Sequence, residues 1–121
     1  MTLGEKQRLF TLNIAKLILW AYENDYEFSF SEAYRTPEQA AMNRFKGTGI
    51  SNSLHTRRLA IDLNLFTDLS IDGDEDIYAT DSESHKLLGE YWKSLHPLNR
   101  WGGDFSKPDG NHYSMEHEGV K

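Results

Sequence analysis

Ser53-Leu54-His55-Thr56-Arg57-Arg58-Leu59-Ala60-Ile61-Asp62-Leu63-Asn64-Leu65-Phe66 is the stretch on which the reading of this chain turns. From Leu59 to Phe66 the residues alternate. Ile61, Leu63 and Leu65 form an apolar face, and Ala60, Asp62, Asn64 and Phe66 form the other, which is the period of a strand with one side against a core. Gly47 to Asn52 is rich in glycine and serine and reads as a loop leading into it. His55 sits at the end of that loop and Asp62 lies seven residues on, on the polar face of the strand. A chain that enters the strand through a turn can bring both side chains to one point.

Outward from this segment the elements alternate. Leu9, Phe10, Ile14, Leu17, Ile18, Ala21 and Tyr22 recur at helical spacing and predict a long amphipathic helix from Leu3 to Tyr22, ended by Asn24 and Asp25. Tyr26 to Ala33 alternates Tyr26, Phe28 and Phe30 against Glu27, Ser29 and Ser31, as a half-buried strand does. Thr36-Pro37-Glu38 is a helix start, since threonine caps and proline suits the first turn, and a short helix to about Phe45 follows. Downstream, the acidic stretch Asp68 to Glu83 reads as a turn or exposed loop. Leu87, Leu88, Tyr91, Trp92 and Leu95 then stripe a helix over Ser84 to Leu95 that Pro97 stops. Two short strands are expected at Arg100 to Phe105 and Asn111 to Glu116, joined by the turn Lys107-Pro108-Asp109-Gly110. No repeat or linker stands out, so residues 1–121 read as a single compact α+β domain.

Composition narrows the chemistry. At 121 residues there is room for one modest core, and without cysteine there are no disulfides, thiolate metal sites or cysteine nucleophiles. Any metal must be held by nitrogen and oxygen, from His55, His85, His96, His112 and His117 together with carboxylates. A formal charge of -6 and a pI near 5.3 argue against a partner bound through a phosphate backbone. The N-terminus resembles neither a signal peptide nor a membrane span, so synthesis in a cytoplasm is expected.

His112 opens the last strand, with Asp109 three residues before it. Two histidines and one carboxylate are the usual protein ligands of a catalytic zinc, which makes His55, Asp62 and His112 the candidate set. Asp109 then has a separate task, taking a proton from the attacking water and passing it to a leaving amine.

The residues around this set resemble the peptidase family that contains the D-alanyl-D-alanine carboxypeptidases and dipeptidases of vancomycin resistance and the phage L-alanyl-D-glutamate endopeptidases. The matching segments are Tyr34-Arg35-Thr36, Glu38-Gln39, Ser53-Leu54-His55, Ala60-Ile61-Asp62-Leu63, Trp101-Gly102-Gly103-Asp104-Phe105 and Asp109-Gly110-Asn111-His112-Tyr113. The resemblance implies a small antiparallel sheet with helices on one side, in the Hedgehog/DD-peptidase manner. It implies one Zn2+ ion on His55, Asp62 and His112, with Asp109 as the catalytic acid/base. Arg35 would hold a substrate carboxylate or stabilise the oxyanion of the tetrahedral intermediate. Ser53 would bind substrate backbone or support His55. Asp104 would hydrogen-bond a ligand histidine from behind, and Trp101 would pack beside it while the glycines let backbone approach the site. The substrate would be the stem peptide of bacterial peptidoglycan. Asp rather than Glu at 109 and the short chain point to a phage endolysin that cuts the L-alanyl-D-glutamate bond as a monomer, reaching the wall through a holin-like partner and causing bacteriolysis. Many family members carry glycine where this chain has Arg58, so a backbone that requires glycine is not expected there.

Plainer readings compete. Asp109 in Pro-Asp-Gly is also a turn former, Arg35 a solvated charge before a helix, and His85, His96 and His117 exposed residues without function. Asp72, Asp74, Asp76 and Glu83 fall at calcium-loop positions, but Ile77 stands where the loop needs glycine. A solvated acidic loop is therefore preferred to a calcium site that tunes activity. Three other activities compete with endopeptidase action: removal of terminal D-alanine, wall binding without catalysis, and metal-dependent nuclease activity. The acidic balance and missing basic patch weaken the last.

Overall fold

The computed structural model describes residues 1–47, 53–67 and 77–121. Helix α1 spans Leu3–Glu23, opened by a capping box in which Thr2 accepts from the Glu5 amide and the Glu5 side chain accepts from the Thr2 amide. Its buried stripe is Phe10, Ile14, Leu17 and Ala21, the face expected from the spacing. Strand β1 is Tyr26–Phe30, helix α2 is Pro37–Phe45 capped by Thr36, and strand β2 is Ala60–Thr67. Strand β3, Ile77–Ala79, lies within the stretch expected to be a loop. It forms because β2 has an open edge beside Leu65–Thr67 for it to pair with. Helix α3 is Lys86–Leu95, preceded by a 3-10 turn over Glu83–His85. Strand β4, Asn99–Trp101, is shorter than anticipated, because Gly102–Asp104 turns into a 3-10 segment instead of continuing. Strand β5 is His112–Met115. The loop 48–52 and the acidic residues Asp72, Asp74 and Asp76 lie outside the described residues.

The sheet is antiparallel in the order β1-β2-β5-β4, with β3 also on β2. β2 is its longest strand and pairs with three others. Leu63 and Leu65 are fully buried from β2, as are Tyr113 and Met115 from β5, and all four pack with Leu17, Leu88 and Trp92 of the helices. Trp20 of α1 stacks on Tyr91 of α3 at 4.6 Å, and Phe10 meets Trp92 edge-on at 5.6 Å. With one face of the sheet committed to this core, alternation sends Asp62, Asn64 and His112 to the other face. Two of the three metal-binding candidates, Asp62 and His112, therefore share the open side of adjacent strands.

Candidate metal centre

β2 and β5 pair so that Asp62 stands opposite His112, which places both side chains on one face at neighbouring strands. His55 arrives from a 3-10 turn, Leu54–Arg57, in which the cap Ser53 accepts from the His55 amide. Asp62 Oδ1 lies 3.2 Å from His112 Nδ1 and 3.3 Å from His55 Nε2, and the two imidazole rings are 5.2 Å apart. One donor atom from each of the three residues lies within 4.8 Å of the others, and both histidines are buried. His55 turns its other nitrogen, Nδ1, to the Ala33 carbonyl at 2.9 Å, which fixes the ring and leaves Nε2 facing the centre. The set suits zinc, with two imidazole nitrogens and one carboxylate oxygen converging on one point.

The electrostatics follow from this crowding. Burial would raise the Asp62 carboxyl, but hydrogen bonds from His112 and His55 and their charge bring it down to about 2. Burial opposes charge on His55, yet its bonds to Asp62 and to Ala33 outweigh that and leave its pKa raised. Asp109 is pushed the other way from Asp62, upward, first by partial burial and then by the Asp62 charge, with the two histidines opposing. It stands on an exposed turn beside the centre and is not one of the three converging residues.

That turn is built onto the sheet by close backbone approach. The Asp109 amide donates to the Gly102 carbonyl at 2.9 Å, and the His112 amide to the Asp109 carbonyl at 3.0 Å. A Cβ on Gly102 would stand 2.0 Å from the Asp109 carbonyl oxygen and 2.8 Å from His112 Cβ, so the glycine is required for the turn to sit where it does. Trp101 supports it from below, its Nε1 donating to the Gly110 carbonyl at 2.7 Å.

Several expectations change here. Asp104 does not reach a ligand histidine; its carboxylate is half-exposed and pairs with Lys93 at 2.8 Å. Ser53 is buried, and its hydroxyl accepts from the His55 amide at 3.2 Å, which fits the supporting role among the two expected for it. Arg58 adopts φ 56° and ψ 36°, the left-handed conformation that glycine favours, contrary to expectation. Its guanidinium lies 4.1 Å from the centre of the Tyr34 ring, a contact that offsets part of the cost. His85 is buried rather than exposed, with Nδ1 2.8 Å from the Tyr113 hydroxyl. His96 is partly buried and accepts from the Leu98 amide, and His117 lies 3.1 Å from Lys6 Nζ.

Arg35 lies on the His55 flank, its amide donating to the His55 carbonyl at 3.1 Å. Its guanidinium is held by Glu32, whose Oε1 accepts from Nε at 2.9 Å and from Nη2, and which also lies 3.8 Å from His55 Nδ1. Glu32 was not singled out in the sequence. Its available signal was the spacing of a glutamate three residues before Arg35 at the end of a strand.

Residues 46–115 match a family model described as D-alanyl-D-alanine carboxypeptidase. Among solved structures the chain is similar to the Serratia marcescens L-Ala D-Glu endopeptidase ChiX. The TM-score is 0.67 at 17% identity, over 93% of this chain and 85% of that one. No curated protein matches the sequence.

Proposed function

The chain belongs to the D-alanyl-D-alanine carboxypeptidase family, and from that premise we propose that it is a zinc endopeptidase that hydrolyses the L-alanyl-D-glutamate bond of peptidoglycan stem peptides. The observation that carries the reading is the convergence of His55 Nε2 and His112 Nδ1 on one oxygen of Asp62, with Asp109 beside them on a separate turn. The likeness in fold to an L-Ala D-Glu endopeptidase favours that bond over a terminal D-alanine.

A zinc ion held by His55, Asp62 and His112 would supply a Lewis acid that polarises the scissile carbonyl and acidifies a water molecule. The protein's own part is positional and acid–base. Asp109, its carboxyl pKa raised above the ordinary value by partial burial and the Asp62 charge, accepts the proton that the attacking water releases and delivers it to the departing amine. Water is thus divided across the peptide bond, the hydroxyl going to the acyl carbon and the hydrogen to nitrogen. Arg35, oriented by Glu32 on the His55 side, offers its guanidinium to a carboxylate of the substrate or to the oxyanion. Ser53 and the Ala33 carbonyl keep His55 in place. In its biological setting the enzyme acts as a phage endolysin, made in the host cytoplasm and released to the wall by a holin-like partner.

Two synthetic stem peptides test the bond assignment, one beginning L-alanyl-D-glutamyl and the other ending in D-alanyl-D-alanine. Mass spectrometry of the zinc-loaded reaction is expected to show free L-alanine from the first peptide and the second intact at its C-terminus. Loss of the terminal D-alanine alone would move the protein to carboxypeptidase action.

A further inference from the structure

β5 pairs with Ala60–Asp62 of β2 and β3 with Leu65–Thr67, so a gap opens between the two strands beside Leu63 and Asn64. It forms a notch of about 210 Å³ walled by Asn64, Tyr78, Ser82, His85, Asp109 and Asn111. The Asp109 wall joins it to the metal centre. None of the described residues lining it is lysine or arginine, and Asp109 is the only carboxylate among them.

The polar groups of the notch are already oriented. Asn64 Oδ1 accepts from the Tyr78 hydroxyl at 3.3 Å and Nδ2 donates to Ser29 Oγ at 3.2 Å, which leaves the second amide hydrogen for a ligand. Ser82 Oγ accepts from the Gly110 amide at 2.9 Å, and its own hydrogen remains to be donated. Arg35 lies at the opposite flank. The Asp62 amide donates to the Glu32 carbonyl on the β1 edge of β2, and the chain runs from there past His55, whereas the notch lies on the β3 and β5 edge beyond Asp62.

We propose that this notch is the subsite for the residue on the leaving-amine side of the scissile bond, and that it selects a neutral α-carboxamide there over an α-carboxylate. The inference rests on the peptidase reading, in which Asp109 protonates the leaving amine and so marks that side. In an L-alanyl-D-glutamate stem the leaving residue carries its α-carboxyl close to that amine, either free or amidated. A carboxamide presents a carbonyl to Asn64 and Ser82 and N–H groups to Asp109 or to the side-chain oxygen of Asn111. A carboxylate accepts the same donors but brings a second negative charge against Asp109, with no lysine or arginine among the described residues of the notch to offset it.

The test uses two stem peptides that differ only in D-isoglutamine or D-isoglutamate after L-alanine, each hydrolysed by the zinc-loaded protein. The carboxamide peptide is expected to have the higher kcat/KM by about tenfold or more, the scale of one nearby like charge. Thr80→Lys, on the exposed rim of the notch, is expected to remove or reverse that preference. Independently of turnover, the amidated product fragment is expected to shift the side-chain amide resonances of Asn64 more than the acidic one does. Equal or reversed preference in the unaltered protein, or a ratio unmoved by Thr80→Lys, overturns the subsite and leaves the peptidase standing. Hydrolysis of neither peptide overturns both.

Discussion

Asp62 and Asp109 are carboxylates beside the same two histidines, and their surroundings push them apart, one down to about 2 and the other upward. That separation supports the proposed roles, the ionised group placed for metal and the other available for proton transfer. Asp109→Asn is accordingly expected to keep the fold and a full equivalent of zinc while lowering turnover by about 10²-fold or more, as checked by metal analysis beside peptide hydrolysis. His85 gives a second prediction. Burial lowers its pKa from 6.5 to about 4, so the unfolded chain takes up a proton before the folded one does. Its contribution to stability is complete above pH 6.5 and falls away as pH drops toward 4, by up to roughly 3 kcal/mol. His55, with its pKa raised, alters stability at higher pH, and Asp62, lowered, below its ordinary carboxylate range. Asp109, with its pKa raised, loses stability as pH rises through its folded value, opposite in sign to His85, so the difference between the unaltered protein and His85→Gln isolates the His85 part. Urea denaturation between pH 7 and 4 is expected to show this slope, and His85→Gln to flatten it. At this scale the three residues that converge, His55, Asp62 and His112, were legible because strand alternation and order along the chain constrain them. Glu32, Asp104 and His85 were not, since a side chain's partner depends on what tertiary packing brings beside it. Arg58 was misjudged because a non-glycine residue at positive φ is paid for by a contact, here Tyr34, that no local pattern reveals.

The β2 strand was readable in full, since one face had to meet a core and the other carried the polar residues. Helices α1 and α3 were readable for the same reason, and Thr36 before Pro37 marked the start of α2. β3 was not, because three residues carry too little pattern and pair only where β2 leaves an edge. β4 was overextended since Trp101-Gly102-Gly103 reads equally as strand or turn, and the requirement for Gly102 to lie against the Asp109 carbonyl decides it. This contact joins two elements and makes a sharp prediction. Gly102→Ala forces a Cβ into backbone, so it is expected to displace the 109–112 turn and destabilise the protein by roughly 1–3 kcal/mol. Thermal unfolding and zinc affinity are expected to fall together. Unchanged zinc affinity in a destabilised variant would show that the turn does not position His112.

As a whole the molecule divides its sheet between two tasks, one face buried under α1 and α3 and the other presenting Asp62 and His112 to meet His55. The α+β class followed from the order and periodicity of the elements, and the helices on one side from the family resemblance. The pairing of β2 with β5, which brings together residues fifty positions apart, came only with the structure. The central claim is that this face is the zinc centre of a peptidoglycan peptidase. Its most direct test is mass spectrometry of purified peptidoglycan digested by the protein as isolated, after chelation, and after one equivalent of zinc is restored. New N-termini on D-glutamate are expected, lost with chelator and restored with zinc, with His112→Ala inactive throughout. Fragments released equally with and without metal, or none released by protein carrying a full equivalent of zinc, would contradict it.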